Sequence, residues 1–261
     1  MLNKIEVADI VALAKTAGEA IMAVYEKDFE VEFKADESPL TEADKAAHNI
    51  IVAGLLELDL RNGTDIPVLS EEGRGITFSD RKDWEYFWLV DPVDGTKEFV
   101  KKNGEFTVNI ALICQGVPVL GVVYAPALDA CYWAKKGKGA FKDGEKLSLQ
   151  RAAQRTSYKI VASRSHMSEE TKRYIANIET DKEKELVSIG SSLKMCLLAE
   201  GEADIYPRLS PTMEWDTGAA HAVMLEAGMD IVTYGESDSP QRISYNKESL
   251  LNPFFIAAER S

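Results

Sequence analysis

Apolar residues recur along this chain in distinct rhythms, and each rhythm implies a different element. From about Ile5 to Tyr25 they fall at Ile10, Ala14, Ala17, Ile21 and Val24, the spacing of one helix face. Phe29, Val31 and Phe33 then alternate with charged residues, as in a half-buried strand. Asp36 to Leu40 reads as a loop, and Thr41-Glu42-Ala43-Asp44 opens a second helix that reaches about Leu58. Pro67-Val68-Leu69 is a short strand running into Glu71 and Glu72. The polar stretch from Gly73 to Asp83 reads as a mobile surface excursion. Next comes Trp84-Glu85-Tyr86-Phe87-Trp88-Leu89-Val90, almost wholly apolar, the mark of a strand covered on both faces.

Beyond that strand the rhythm changes. Phe106–Cys114, Val117–Tyr124 and Cys131–Ala134 are short apolar runs separated by turn residues, and Asp143-Gly144 marks another tight turn between Phe141 and Leu147. An antiparallel meander fits this spacing. Residues 1 to about 150 therefore read as helices on a mostly antiparallel sheet. From about Arg151 strands and helices alternate: Ile160-Val161-Ala162, a helix near Ser168–Ile178, another over Ser191–Ala199, an extended Ala203–Tyr206, a helix over Thr217–Glu226, and a closing strand at Phe254–Ala257. That rhythm predicts a smaller α/β half over 151–261, fused to the first without a flexible linker.

Composition narrows the function classes. The 261 residues suffice for a large core, and 45% hydrophobic with 28% charged residues is ordinary for a globular chain. A formal net charge of −13 argues against nucleic acid or an acidic membrane surface as partner. Cys114, Cys131 and Cys196 form neither a disulfide framework nor a zinc motif, which fits a reducing compartment. The first residues lack a signal-peptide core and no run approaches a membrane span, so a cytoplasmic location is expected.

The chemistry gathers where the apolar strand stops, at Asp91-Pro92-Val93-Asp94-Gly95-Thr96-Lys97-Glu98-Phe99. A core strand delivers Asp91 and Asp94 to its own carboxyl end, where α/β sheets keep their ligands. Two carboxylates on a stiff turn can share a hard cation, and the N–H groups of Gly95 and Thr96 at the following helix start suit an anion. An Asx-turn that only satisfies backbone donors is the plainer alternative. His48, His166 and His221 make no ligand pattern, so oxygen donors point to Mg²⁺ rather than zinc or copper. No serine or cysteine stands with a histidine as a covalent nucleophile requires, which leaves water.

Asp91 to Thr96 resembles the D-P-[IVL]-D-G-T signature of the inositol monophosphatase superfamily, Mg²⁺-dependent and lithium-sensitive phosphatases. Ser70-Glu71-Glu72 and Glu214-Trp215-Asp216-Thr217-Gly218-Ala219-Ala220 resemble its upstream and downstream acidic segments, in the family's order. Lys97-Glu98-Phe99, Asn103-Gly104-Glu105-Phe106-Thr107 and Gly190-Ser191-Ser192-Leu193-Lys194 are similar to the branch that hydrolyses 3′(2′),5′-bisphosphate nucleotides in sulfur assimilation. The resemblance implies a layered α-β-α-β-α sugar-phosphatase fold, two or three Mg²⁺ ions, and a small bisphosphate nucleotide as substrate. In that branch a loose association with the inner membrane face is sometimes described.

The same resemblance implies roles. Glu71, the Val93 carbonyl and Asp91 would serve a first ion; Asp91, Asp94 and Asp216 would serve a second. Thr96 would relay a proton from the attacking water to Asp44, since Thr41-Glu42-Ala43-Asp44 resembles the family's T-x-x-D segment. For Asp216 an N-cap before Thr217 stays equally open from position alone. Gly95, Thr96, Lys97, Ser191, Ser192, Lys194 and Arg208 are candidate substrate contacts. The Ser163-Arg164-Ser165-His166 loop resembles a nucleotide-contact segment or is a polar turn. Two other functions remain open at this point: an inositol or sugar monophosphatase on the same metal site, and a catalytically silent phosphate-ligand sensor.

Overall fold

The computed structural model describes residues 1–26, 31–33, 39–73, 75–149, 155–162, 167–235 and 239–260. Helix α1 (Val7–Tyr25) and helix α2 (Glu42–Asn62) are joined through a two-stranded antiparallel ribbon, β1 (Val31–Phe33) and β2 (Pro39–Thr41). Pro39 and Leu40, expected in a loop, are strand residues because they pair with Phe33 and Glu32. The chain continues through β3 (Val68–Ser70), α3 (Phe78–Arg81), β4 (Tyr86–Asp94) and α4 (Thr96–Val100). The meander follows as β5 (Thr107–Cys114), β6 (Val117–Ala125), β7 (Ala130–Lys135), β8 (Gly139–Lys142) and β9 (Glu145–Lys146). Among the described residues these strands form one seven-stranded sheet in the order β3-β4-β5-β6-β7-β8-β9, antiparallel except for the β3/β4 pair.

The second half contributes β10 (Ser157–Val161), α5 (Glu169–Ala176), β11 (Glu183–Val187), α6 (Leu193–Ala199), β12 (Ile205–Arg208), α7 (Glu214–Ala227), β13 (Met229–Thr233) and β14 (Phe255–Glu259). Its sheet runs β11-β10-β12-β14-β13, parallel on one side and antiparallel on the other.

Side-chain alternation along β4 explains the layering. Trp88 and Val90 face a core shared with Ile10, Ala14, Ala17 and Ile21 of α1 and Ala47, Ile51 and Leu55 of α2. Phe87 and Leu89 face the other way, into a core built with α6, α7 and the inner face of the second sheet, including Phe255 and Ala257. Beyond that sheet, Ile160, Ile205 and Ile256 pack against Tyr174 and Ile175 of α5. The layers run α1/α2, seven-stranded sheet, α6/α7, five-stranded sheet, α5. The middle core spans both halves without a seam.

Two features seat the site. Helix α7 lies so close to β6 that a Cβ at Gly121 would sit 2.2 Å from the Ala219 carbonyl oxygen. Only a glycine permits that approach, and it brings the amino end of α7 over the end of β4. Within the Gly73–Asp83 stretch, Thr77 to Arg81 is no loose excursion. Thr77 caps α3, and Arg81, only 2% exposed, donates to Asn246 Oδ1 at 2.7 Å and to the Glu248 carbonyl at 3.0 Å. The polarity of the segment hides this anchor, because the bonds reach across the fold rather than along it.

Candidate active site

Asp91 and Asp94 lie three positions apart, which in a regular strand would send their side chains to opposite faces. A β-bulge corrects this. Asp91 pairs with Asn109 and Asp94 with Thr107, so three steps on β4 match two on β5 and both acids share one face. Strand β4 thus continues to Asp94 rather than stopping before Asp91. The Asx-turn reading also has substance, since Asp91 Oδ1 accepts from the Val93 N–H at 3.1 Å. Gly95 follows at φ +93°, where a Cβ would stand 3.1 Å from the Glu105 carbonyl oxygen, and Thr96 begins α4.

Asp216 arrives from the other half as the third residue of α7. One carboxylate oxygen, Oδ2, accepts from the Met213 N–H at 2.9 Å. The cap and the cluster are therefore not rivals: carboxylate oxygens of Asp91, Asp94 and Asp216 lie within 4.8 Å of one another. Glu71, whose N–H bonds the Val90 carbonyl at 3.0 Å, stands outside that triplet, but its charge acts on all three acids.

Burial and mutual repulsion set the electrostatics of the cluster. Burial holds the Asp91 carboxyl well above the usual range, with the charges of Glu71, Asp94, Asp216 and Asp44 adding to the rise. Asp216 is pushed up to about 8, first by its depth and then by Asp94. Asp94 is raised only to about 6, because the Lys194 ammonium and the Ser192 backbone N–H oppose its burial. Lys194 is itself drawn down to about 8 by burial. Three mutually repelling carboxylates, Asp91 buried and Asp94 and Asp216 half-buried, with oxygen donors only are matched by a hard divalent cation, not by a soft one.

A cleft of about 580 Å³, open mouth included, lies over Asp94 and Asp216. Gly95, Ser191, Ser192, Lys194 and Arg208, the candidate substrate contacts, line it together with Glu98, Met195, Tyr206, Thr212, Thr217 and Phe255. Arg208 donates through Nη2 to the Pro211 carbonyl at 2.8 Å, while its buried Nε finds no acceptor among the described residues. Ser191 sits in the left-handed region at φ +47°.

The candidate contacts differ in what their side chains touch. Lys97 is exposed and does not line the cleft; its neighbour Glu98 does, since successive residues of the short α4 diverge by about 100°. Ser192 is 1% exposed, and its hydroxyl is engaged by Thr107 and Asn109 rather than offered to a ligand. Lys194, 8% exposed, gives Nζ to the Ser191 carbonyl at 2.7 Å. Thr96 Oγ1 donates to the Val93 carbonyl over 3.4 Å, and Asp44 is buried at the start of α2. Ser163, Arg164 and His166 lie outside the described residues. Glu98 and Thr217 were signalled by their adjacency to Lys97 and Asp216; Tyr206 and Phe255 read only as strand core.

The inositol monophosphatase family model matches residues 3–259, and the chain belongs to that metal-dependent family. Within it, the chain is 48% identical over 248 residues to the 3′(2′),5′-bisphosphate nucleotidase CysQ of Salmonella typhimurium, covering 93% of this chain and 95% of that one. It is equally similar, 48% over 248 residues with the same coverage, to the CysQ nucleotidase of Escherichia coli K12. The crystal structure of CysQ from Bacteroides thetaiotaomicron superposes with a TM-score of 0.81 at 46% identity, over 98% of this chain and 97% of that one. No helix among the described residues is long and apolar enough to cross a membrane.

Proposed function

We propose that this protein is an Mg²⁺-dependent 3′(2′),5′-bisphosphate nucleotidase that removes the 3′-phosphate of 3′-phosphoadenosine 5′-phosphate, leaving AMP, and accepts the sulfated analogue. The observation that carries this reading is the convergence of Asp91, Asp94 and Asp216 beneath a cleft walled by Lys194 and Arg208. The similarity to the CysQ nucleotidases, over 93% of the chain or more, supports it. Asp91, Asp94, Asp216, Glu71 and the Val93 carbonyl would hold the ions. When bound, Mg²⁺ supplies activation of water and neutralises charge on the leaving oxygen.

The chain's own groups do the rest. The halves meeting near residue 150 would divide the labour: the first brings most of the carboxylates, the second Asp216 and the substrate contacts. Thr96 Oγ1 would take the proton of the attacking water as it hands its own to the Asp44 carboxylate. Its 3.4 Å bond to the Val93 carbonyl is long enough to switch acceptor at little cost. Arg208, with a buried donor lacking an acceptor, and Lys194 would meet the second phosphate. Those two cations answer how a chain of net charge −13 attracts a polyanion: the local field in the cleft is set by them once the carboxylates are neutralised. The deciding experiment compares kcat/KM for the bisphosphate nucleotide and for inositol 1-phosphate in saturating Mg²⁺. A nucleotide preference of at least a hundredfold is expected; equal or reversed preference would favour the inositol or sugar monophosphatase reading, and binding of the nucleotide without turnover would favour a silent sensor.

A further inference from the structure

Asp216 takes its direction from a backbone group, since its Oδ2 accepts from the Met213 N–H at 2.9 Å in the first turn of α7. What holds Met213 lies 39 residues further along, at Asn252. Residues 250–252 run antiparallel beside 212–214, with Met213 bridged to Leu251. Glu214 N–H donates to the Leu250 carbonyl at 2.9 Å, and Asn252 N–H to the Thr212 carbonyl at 2.8 Å. The Thr212–Met213 peptide is planar, so a bond to its carbonyl also steadies the N–H that meets Asp216.

The Asn252 side chain, only 3% exposed, completes the grip. Its Nδ2 donates to the Met213 carbonyl at 2.7 Å and to Thr217 Oγ1 at 3.1 Å, with Thr212 Oγ1 at 3.3 Å. The amide thus ties the residue that starts the turn to the one that follows Asp216. Thr217 is held firmly in its own right. Its hydroxyl donates to the Glu214 carbonyl at 3.1 Å and accepts from Tyr245 Oη at 3.2 Å. One proton and two lone pairs are then all in use, so Thr217 lines the cleft with nothing left for a ligand. Asn252 Oδ1 is buried and meets no donor among the described residues. An unpaired buried acceptor costs stability, so the donors are what this position uses.

We infer that Asn252 is a positioning residue for Asp216: its amide ties the Met213 carbonyl to the Thr217 hydroxyl, keeps the Met213 N–H on Asp216 Oδ2, and so fixes that carboxylate for cation binding. The consequence for turnover rests on the proposed function, while the consequence for cation binding is read without substrate. Groups that orient a metal ligand typically govern metal affinity by about 10–100-fold when removed.

The test is a calorimetric Mg²⁺ titration of EDTA-stripped, substrate-free protein, with the thermal midpoint in EDTA measured beside it. Asn252→Ala removes the amide and keeps the main-chain bond to Thr212. It should raise the Mg²⁺ dissociation constant about 10–100-fold, with nucleotide KM at saturating Mg²⁺ within about twofold of wild type. Thr217→Val, close in shape, cuts the far end of the tie and should raise the constant about tenfold. Combined, the two changes should cost less than their sum, because they break one unit. Asn246→Ala is the contrast. It removes the side-chain bonds exchanged with Arg81 on the same connection and touches neither Met213 nor Thr217. It should lower the thermal midpoint and leave Mg²⁺ binding within about twofold of wild type.

A normal Mg²⁺ dissociation constant for Asn252→Ala overturns the inference, as does an equal rise in Asn246→Ala, the mark of general loosening, or strictly additive losses in the double variant. If Asn252→Ala does not fold, Thr217→Val decides, and unchanged Mg²⁺ binding there overturns the inference. Failure of wild type to turn over the nucleotide would strike the proposed function, while the titration would still judge Asn252.

Discussion

Replacing Asp216 by asparagine separates helix capping from cation binding, because the two roles predict opposite signs. Asparagine keeps an oxygen to accept from the Met213 N–H, so the cap at the start of α7 survives. What disappears is a charge. In the metal-free chain Asp216 titrates at about 8 when folded against 3.8 as its ordinary value. A raised folded pKa means the associated stability is intact below about pH 4 and is lost as pH climbs through about 8. At pH 7 the folded carboxyl is still mostly protonated, while the solution stands about three pH units above the value at which the unfolded one ionises. At about 1.4 kcal/mol each, that sets a ceiling of about 4 kcal/mol on the cost of ionisation. Asp94 relaxes when its neighbour loses charge, and water in the cleft screens part of the rest. About 2 kcal/mol of gain on substitution is the working figure. For a chain of this size that corresponds to a rise of about 4–8 °C in Tm. In EDTA at pH 7, Asp216→Asn should therefore melt above wild type. In saturating Mg²⁺ the order should invert, with wild type stabilised by the cation and the variant barely moved, and turnover should fall by orders of magnitude. A variant that melts below wild type in EDTA and responds normally to Mg²⁺ would leave Asp216 as a helix cap and nothing more.

Thr96→Ala removes the proposed relay but keeps the N–H groups at the start of α4, so kcat should drop far more than KM rises; a KM effect with kcat preserved would make Thr96 a binding residue. Gly121→Ala forces a methyl against the Ala219 carbonyl and Ala222 Cβ, and should destabilise by about 1–3 kcal/mol in urea while weakening Mg²⁺ binding as α7 shifts; an unchanged midpoint would deny the close approach of helix and sheet. Li⁺, small and hard like Mg²⁺ but of lower charge, should inhibit uncompetitively toward nucleotide and less as Mg²⁺ rises. A Li⁺ effect equal to that of K⁺ at the same ionic strength would count against competition at the carboxylates. Across pH 4 to 8 the metal-free chain should lose stability, and saturating Mg²⁺ should flatten the loss, since the cation replaces the protons on Asp94 and Asp216.

The order of strands and helices was legible because burial writes itself into the pattern: Phe87 to Val90, just ahead of Asp91, are covered on both faces, and their apolar run says so. Acids that interrupt such a run are conspicuous, which is why Asp91 and Asp94 stood out. The bulge that puts them on one face did not, since it belongs to the register with Asn109 and Thr107, 13 or more residues away. Strand β11 was unreadable for a related reason: at the edge of its sheet, Glu183–Leu186 is exposed and carries no alternation. Lys97 was read as a substrate contact from the resemblance of Lys97-Glu98-Phe99, but on the short α4 it points away from the cleft that Glu98 lines, and Ser192 lines the cleft while its hydroxyl is engaged by Thr107 and Asn109. Arg81 escaped notice because its partners, Asn246 and Glu248, lie more than 160 residues along the chain.

The most direct measurement follows the nucleotide itself. Protein stripped with EDTA is incubated with 3′-phosphoadenosine 5′-phosphate, Mg²⁺ is added back, and ³¹P NMR tracks both phosphate groups. If the Asp91, Asp94 and Asp216 cluster is the working centre, both resonances persist until Mg²⁺ is present, and then the 3′ signal gives way to free phosphate while the 5′ signal of AMP remains. Hydrolysis at the same rate without a divalent cation, or loss of the 5′-phosphate instead, would contradict the account.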